Sequence, residues 1–373
     1  MRRALLLVAV AALPGLLPAQ GGLSIQGFGY PTGQISSASL ALGGASAEVD
    51  PSSPLNPATI GLGSRYSVYM QFEPEFRTTS VGRESDKSTT IRFPNFLITG
   101  GYRRLTGAVS ATTFLDRTWT NVYSDSQPVG GTTFPSTLTA ASAGAITDTR
   151  AAVAYWIHEK VQLGVGLHAL LGENKLSFGR IFPDSTGIGG VTQISTINYS
   201  GRAVSAGVVY YPVKGLVLGA SVRKGGHLEA RQDDAALAKS DTPDRFGFSV
   251  AFTGIPNTTL AARLDHTNWT DMRGLGTPQL SVFDTDDIGL GVEVVGPTMG
   301  GAASLARLGF RSRTLPFGLG SEQVSERGIT GGIALPFARG RAQVDLSLQR
   351  STRSAAGADE KAWFFSVGLG IRP

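Results

Sequence analysis

The chain has 373 residues, a formal net charge of +5 and no cysteine. Glycine takes 49 positions and charged residues only 16%, against ordinary levels of about 7% and about 25%. The missing cysteine excludes disulfides, thiolate metal sites, iron–sulfur clusters and cysteine nucleophiles, and the low charge excludes an intrinsically disordered chain. Nor is the positive charge a nucleic-acid signature. The 26 Arg and 7 Lys are scattered singly, with no basic run to follow a phosphate backbone.

At the start of the chain, Arg2 and Arg3 precede an apolar stretch, 5–17. Leu17-Pro18-Ala19 then offers a small residue before Gln20. This predicts a secretory signal peptide over residues 1–19. A membrane anchor is the competing reading, but the apolar run falls short of the ~20 residues a spanning helix needs. Further on, the longest charge-free segment, 21–47, is studded with Gly, Ser, Pro and Gln, so an inner-membrane helical protein is excluded.

Residues 20–64 show no alternation. From 65 onward the period is two. Val161, Leu163, Val165, Leu167, Ala169 and Leu171 alternate with Gln162, Gly164, Gly166, His168 and Leu170; Trp363, Phe365, Val367, Leu369 and Ile371 alternate with Phe364, Ser366, Gly368 and Gly370. A strand presents such a pattern on one side, and a helix does not. Fourteen strands are expected: 65–81, 88–103, 107–121, 143–157, 161–181, 191–211, 216–231, 243–254, 257–270, 284–296, 300–313, 326–338, 341–354 and 360–371. Short connections (104–106, 158–160, 212–215, 254–256, 296–298, 338–340) alternate with longer polar ones (82–87, 122–142, 182–190, 232–242, 271–283, 314–325, 355–359). That alternation is the layout of an all-β, antiparallel outer-membrane barrel, with tight turns on the periplasmic side. A soluble β-sandwich array or propeller is the alternative, because alternation alone does not separate lipid from a dry core. Aromatic residues near strand ends, such as Tyr66, Tyr69, Tyr155, Trp156, Tyr210 and Tyr211, suit an interface girdle.

The segment before the first strand carries a short motif. Gly43, Gly44, Ala45, Ala47 and Asp50 are followed by Asn56, Pro57 and Ala58. This resembles the start of the long-chain fatty acid transporter family, the FadL/TodX type. The resemblance implies a fourteen-stranded barrel with an N-terminal hatch inside the lumen. Residues 20–64 would form that hatch and 65–373 the barrel. It also implies passive uptake of hydrophobic or amphipathic small molecules across the bacterial outer membrane, with outer-membrane lipid and the assembly machinery as partners. An equally reachable relative is a PorV-like barrel that docks or shuttles a secretion partner. The chain ends Gly-Ile-Arg-Pro, where such barrels commonly end in an aromatic residue. Asn-Pro also has a plain reading as a turn before the first strand.

Strand parity places Arg223, Arg263, Asp265, Glu293, Arg307, Arg311, Arg341 and Asp345 in the lumen. They make either a mutually paired network or a site in which an arginine, Arg307 and Arg311 foremost with Arg223 and Arg263 beside them, holds a ligand carboxylate. Pro74 and Pro94 interrupt the first two strands. They mark a defect in the wall or are tolerated near strand ends. The four histidines, 158, 168, 227 and 266, form no metal-spaced pair, and no Gly-x-Ser-x-Gly elbow is present. No enzyme, cofactor or metal site is expected.

Overall fold

Lipid offers a peptide group no hydrogen-bond partner, so a sheet that crosses a bilayer has to close on itself. The computed structural model describes residues 23, 27–81, 84–233, 235–276, 281–299 and 302–372; the predicted signal peptide lies outside them. Its strands run in chain order as β1 (Tyr30–Pro31), β2 (Tyr66–Val81), β3 (Glu84–Tyr102), β4 (Leu105–Asp116), β5 (Trp119–Val129), β6 (Thr132–His158), β7 (Val161–Ile181), β8 (Val191–Tyr210) and β9 (Leu216–Gln232). They continue as β10 (Ala235–Asp241), β11 (Arg245–Ile255), β12 (Thr258–Thr267), β13 (Thr285–Met299), β14 (Ala302–Leu319), β15 (Glu322–Phe337), β16 (Ala342–Ala355) and β17 (Ala358–Ile371). All seventeen share one sheet. Leaving out β1, β5 and β10, fourteen make a closed antiparallel ring, in which β4 pairs β6, β9 pairs β11 and β17 returns to β2. Each predicted strand corresponds to one wall strand, and 161–181 matches β7 end to end.

The ring is inverted relative to a soluble core. Leu163, Val165, Leu167 and Leu171 of β7 are exposed on the outside, as are Trp363, Phe365, Val367 and Ile371 of β17. Gln162, His168, Arg223, Arg263, Arg307, Arg311, Asp345 and Ser366 are buried on the inside. An apolar outer band with polar inner positions is what the hydrocarbon region demands of a barrel. Arg341 departs from its expected place. It lies in the exposed turn between β15 and β16, and its backbone oxygen accepts from Arg372 N at 2.7 Å, which puts the C-terminal end beside a short turn.

Several expected long connections are strand instead. Residues 314–319 and 322–325 continue β14 and β15, and 122–129 and 132–142 form the β5–β6 hairpin, turned by Gly130 and Gly131 at φ of 59° and 87°. Most of 232–242 belongs to β10, which pairs the upper part of β9. The expected short turn at 296–298 lies within β13. Beyond the lipid band a strand meets water or polar lumen on both faces, so its alternation fades while its ladder persists. Of the described long connections, 182–190, 268–276 and 281–284 stay outside the strands apart from a single bridge, Val282↔Phe317, with 3-10 turns at Asp184–Thr186 and Trp269–Leu275.

Residues 27–62 run through the inside of the ring. Their short helix α1 (Ser37–Ala41) is capped by Ser36, whose hydroxyl accepts from Ser39 N at 3.0 Å. Asp50 accepts from Ser53 Oγ and Ser52 N, each at 2.9 Å, and from Ser36 Oγ, which folds 36 onto 50–53. Asn56 accepts from Ala58 N at 2.9 Å and donates to Glu48 O at 2.8 Å and Val208 O at 3.2 Å. Inner-face glycines make room for this segment. A Cβ on Gly164 would lie 2.3 Å from the Pro57 carbonyl carbon, and one on Gly207 would lie 1.9 Å from Asn56 Oδ1. Gly43, at φ 67°, touches the wall in the same way, 2.3 Å from Phe310 O for an added Cβ. A side chain at Gly164 therefore has to displace residues 56–58. With no native cysteine, an Ala58→Cys barrel should resist maleimide, because Ala58 is fully buried. Adding Gly164→Leu should make that cysteine label while the heat-modifiable migration of the folded barrel is kept. Unchanged protection would contradict the contact.

Candidate functional site

Among the described residues, three large ion networks and the 27–62 segment occupy the lumen, with a smaller Arg307–Glu293–Asp345 cluster beside them. The first surrounds Tyr30. The guanidinium carbons of Arg77, Arg92, Arg313 and Arg353 lie 5.8, 5.1, 5.0 and 4.5 Å from its ring centroid. Its hydroxyl donates to Glu326 at 3.0 Å and accepts from Arg353 at 2.8 Å and from Arg313. Glu75 takes Arg77 at 2.7 Å, Arg92 at 2.6 Å and Arg353 at 2.9 Å; Asp116 takes Arg92 at 2.6 Å; Glu326 and Glu360 take Arg353. Four cations are tolerable around one ring because carboxylates neutralise them and because a tyrosine face attracts cations.

The second network holds the segment to β9–β14. Asp287 pairs Arg311 at 2.6 Å and Arg263 at 3.1 Å, and Asp265 pairs Arg263 at 2.8 Å and Arg245 at 2.5 Å. Glu48, from the segment itself, pairs Arg245 and accepts from Ser221 at 2.6 Å. The third joins three adjacent wall strands. Asp148 lies 2.8 Å from His168 Nδ1, and His168 Nε2 lies 2.8 Å from Ser205 Oγ. This Asp–His–Ser chain has the order of a hydrolase relay, which no linear motif announced. All three residues are buried, and none lines either of the two cavities described below. Gln34 of the segment bonds Asp148 at 3.0 Å, which ties this network to the segment as well.

Of the arginines expected in the lumen, Arg223, Arg263, Arg307 and Arg311 point inward, and they divide between two cavities. A small upper cavity of about 50 Å³ lies against Gln34 and Leu55 and is lined by Arg223, Arg263 and Arg311 together with Phe114 and Trp269. A lower one of about 330 Å³, lined by Asp50, Leu62, Tyr211 and Arg307, lies on the other side of the segment. Arg307 is paired with Glu293 at 2.7 Å and Asp345 at 2.5 Å, and Arg223 reaches Gln34 at 3.3 Å and Asp148 at 3.8 Å. A residue the sequence reading passed over stands apart from these. Arg150 is 1% exposed, and its Nε, Nη1 and Nη2 have no hydrogen-bond partner. Ser110 Oγ, across the ladder from it, is also unpartnered. Arg150 shares its inward parity with Asp148, the signal that would have found it.

The upper lumen also has an apolar part. Phe28, Phe114, Ile146, Leu170, Leu228, Trp269 and Met272 pack together. Trp269 and Met272 come from the 3-10 turn after β12, and Trp269 stacks on Phe114 at 5.2 Å.

Both prolines stand at interruptions of the wall. The β3–β4 ladder runs from Tyr102↔Leu105 to Asn95↔Thr112 and stops one residue short of Pro94. Beyond it, Leu115 and Asp116 of β4 pair Pro31 and Tyr30 of the interior segment. Pro74 keeps Ile91 as its partner in β3, but the β17–β2 ladder skips from Phe364↔Glu75 to Val367↔Phe72. A seam therefore runs between the upper part of β3 and β4, bridged inside by Arg92 and Asp116 and edged outside by Phe72 and Phe93, whose rings are 5.2 Å apart.

No protein-family model matches the chain, and no curated protein matches its sequence. Solved structures do match. A FadL homologue of Pseudomonas aeruginosa aligns over 92% of this chain and 99% of its own at 10% identity, with a TM-score of 0.64. The toluene transporters TodX of Pseudomonas putida and TbuX of Ralstonia pickettii align over 95% and 93% of this chain and 99% of theirs. Their identities are 13% and 14%, and their TM-scores 0.59 and 0.57. The chain has the FadL/TodX fold. TodX and TbuX are toluene transporters.

Within this FadL-type ring, Arg353 is the most heavily used cation, with neither it nor its partners Glu75 and Glu360 exposed. Arg353→Met removes the charge and keeps much of the volume, leaving carboxylates buried without their cation. A loss of about 3–5 kcal/mol is expected, read as a lower urea midpoint for folded barrel. An unshifted midpoint would mean the network does not bear on stability.

Proposed function

We propose that this protein is an outer-membrane channel for passive uptake of hydrophobic small molecules, with residues 20–64 as its hatch. The observation that carries this reading is the packed apolar cluster of Phe28, Phe114, Leu170, Trp269 and Met272 in the upper lumen, of which Phe114 and Trp269 line the upper cavity. Selection for water and ions favours a polar interior, whereas an aromatic lining recovers the hydrophobic free energy of an apolar solute. The fold of the neighbours, among them transporters of toluene, supports the same reading. The 27–62 segment stands between the upper and lower cavities, and the seam at Pro94 offers a sideways exit into the membrane.

Long-chain fatty acids are the finer proposal. Their carboxylate needs a cation. Arg223, Arg263, Arg307 and Arg311 remain candidates, although each already has acidic neighbours and must exchange one to hold a ligand. Arg150, near Asp148 but in no ion pair or hydrogen bond, has no such contact to break. A buried guanidinium without a partner is costly, and a carboxylate recovers that cost.

Uptake by cells or liposomes separates the readings. The wild-type barrel should speed entry of toluene-sized aromatics and of fatty acids and leave sugars excluded. Arg150→Gln should lower fatty acid uptake by about tenfold, the loss of one charge-assisted contact, and leave toluene uptake unchanged. Sugar entry at porin rates would overturn the channel assignment. So would a barrel that moves no hydrophobic solute and instead co-purifies with a stoichiometric protein, as the docking alternative requires.

A further inference from the structure

We propose that the outer face of β14–β17 is a binding site for a phosphorylated, multiply acylated glycolipid of the outer leaflet. The apolar band on this face ends at one level. Below it, toward the short turns, stand Leu308, Ile333, Leu346, Leu348, Phe365 and Val367; Ile329 and Trp363 close the band. Gly331 lies on the same outward parity, and a Cβ there would meet nothing closer than 3.6 Å. The missing side chain leaves a trough between the larger neighbours, and these residues line one continuous outer groove. An extended acyl chain is the shape that fills a trough running along strands in an apolar wall.

Directly above the trough are three cations on adjacent strands. In the ladder, Arg327 of β15 pairs Thr352, which pairs Lys361 of β17; one row lower, Ile329 pairs Arg350, which pairs Trp363. Arg327, Arg350 and Lys361 all face outward and are exposed. The guanidinium of Arg350 lies 4.8 Å from the Trp363 ring centroid, which holds it at the top of the groove. Elsewhere on the outer surface Lys224 is paired with Asp244, and His266 with Asp286 at 2.8 Å, whereas Lys87, which follows Thr78 in the row of Lys361, extends the line of exposed cations. Among the described residues, none of the three has an acid within ion-pair distance. Two strand spacings, about 10 Å, separate Arg327 from Lys361. That spread suits a headgroup with more than one phosphate better than a single phosphodiester. The cations stand at the end away from the short turns, which is the outward end in a barrel of this layout.

The inference rests on the outer-membrane reading but not on transport. The purified barrel in detergent is offered three lipids and read by native mass spectrometry. They are a doubly phosphorylated, multiply acylated disaccharide lipid, its dephosphorylated form, and phosphatidylglycerol. The expected result is one phosphorylated glycolipid retained per barrel. Retention should be about tenfold weaker in Arg327→Gln/Arg350→Gln/Lys361→Gln, and also weaker in Gly331→Leu, which fills the trough and keeps the charges. Heat-modifiable migration confirms that each variant is folded. Equal retention by the triple variant, or by the dephosphorylated lipid or phosphatidylglycerol, would overturn the site. A barrel that fails every uptake assay yet retains the glycolipid would refute the channel and leave this proposal standing.

Discussion

The constraint on which everything else depends is the peptide hydrogen bond in lipid. A wall of fourteen antiparallel strands pairs every neighbour only because β17 returns to β2, and that closure satisfies backbone groups that hydrocarbon would leave bare. Closure fixes the rest. It turns the apolar residues outward and leaves a polar interior wide enough that side chains alone do not fill it. The chain fills it with its own N-terminal segment, and the inner-face glycines are the fitting surface. Gly164 and Gly207 accept the turn at 56–58, and Gly309 accepts the backbone at 42–43. The high glycine content is therefore a packing property as well as a conformational one.

An interior of charge raises a second problem. Each buried guanidinium loses hydration worth several kcal/mol. The lumen answers by sharing. Glu75 serves three arginines, Arg353 serves three glutamates, and Asp287 serves two arginines. Two of the three networks contain a residue of the segment at their centre, Tyr30 in one and Glu48 in the other. The segment is thus part of the electrostatic balance of the wall, and removing it would strand charges as well as empty space. Arg150 is the buried cation this sharing leaves out, with no hydrogen-bond partner on its guanidinium.

The wall was legible in the sequence because lipid imposes a strict period of two, and every membrane-facing stretch carried it. Legibility failed where lipid stops. The β5–β6 hairpin, rich in Thr and Ser, and the extensions 314–319 (Thr-Leu-Pro-Phe-Gly-Leu) and 322–325 (Glu-Gln-Val-Ser) of β14 and β15 are paired strand without an apolar outer face, since that face does not meet hydrocarbon there. Parity placed Arg223, Arg263, Arg307 and Arg311 inside, but it carries no information on which acid each one meets. Asp287 reaches Arg263 from a different strand, and Glu48 reaches Arg245 from a segment almost two hundred residues away in sequence. The Asp148–His168–Ser205 chain escaped for the same reason: its members are neighbours only once β6, β7 and β8 are in register.

The seam at Pro94 joins these two themes. Proline has no N–H to offer a ladder, so the β3–β4 pairing ends beside it, and the edge of β4 above Thr112 needs another partner. That partner is the interior segment: Pro31 and Tyr30 pair Leu115 and Asp116. Tyr30 is also the residue that the four arginines enclose, and one of these, Arg92, belongs to β3, which flanks the seam. One residue thus closes the edge that β3 leaves and anchors the charge network behind it. A displacement of the segment that frees Tyr30 exposes the β4 edge and unbalances Arg92 together. The wall seam and the interior segment thus share Tyr30, and the Arg92–Asp116 pair spans the seam beside it.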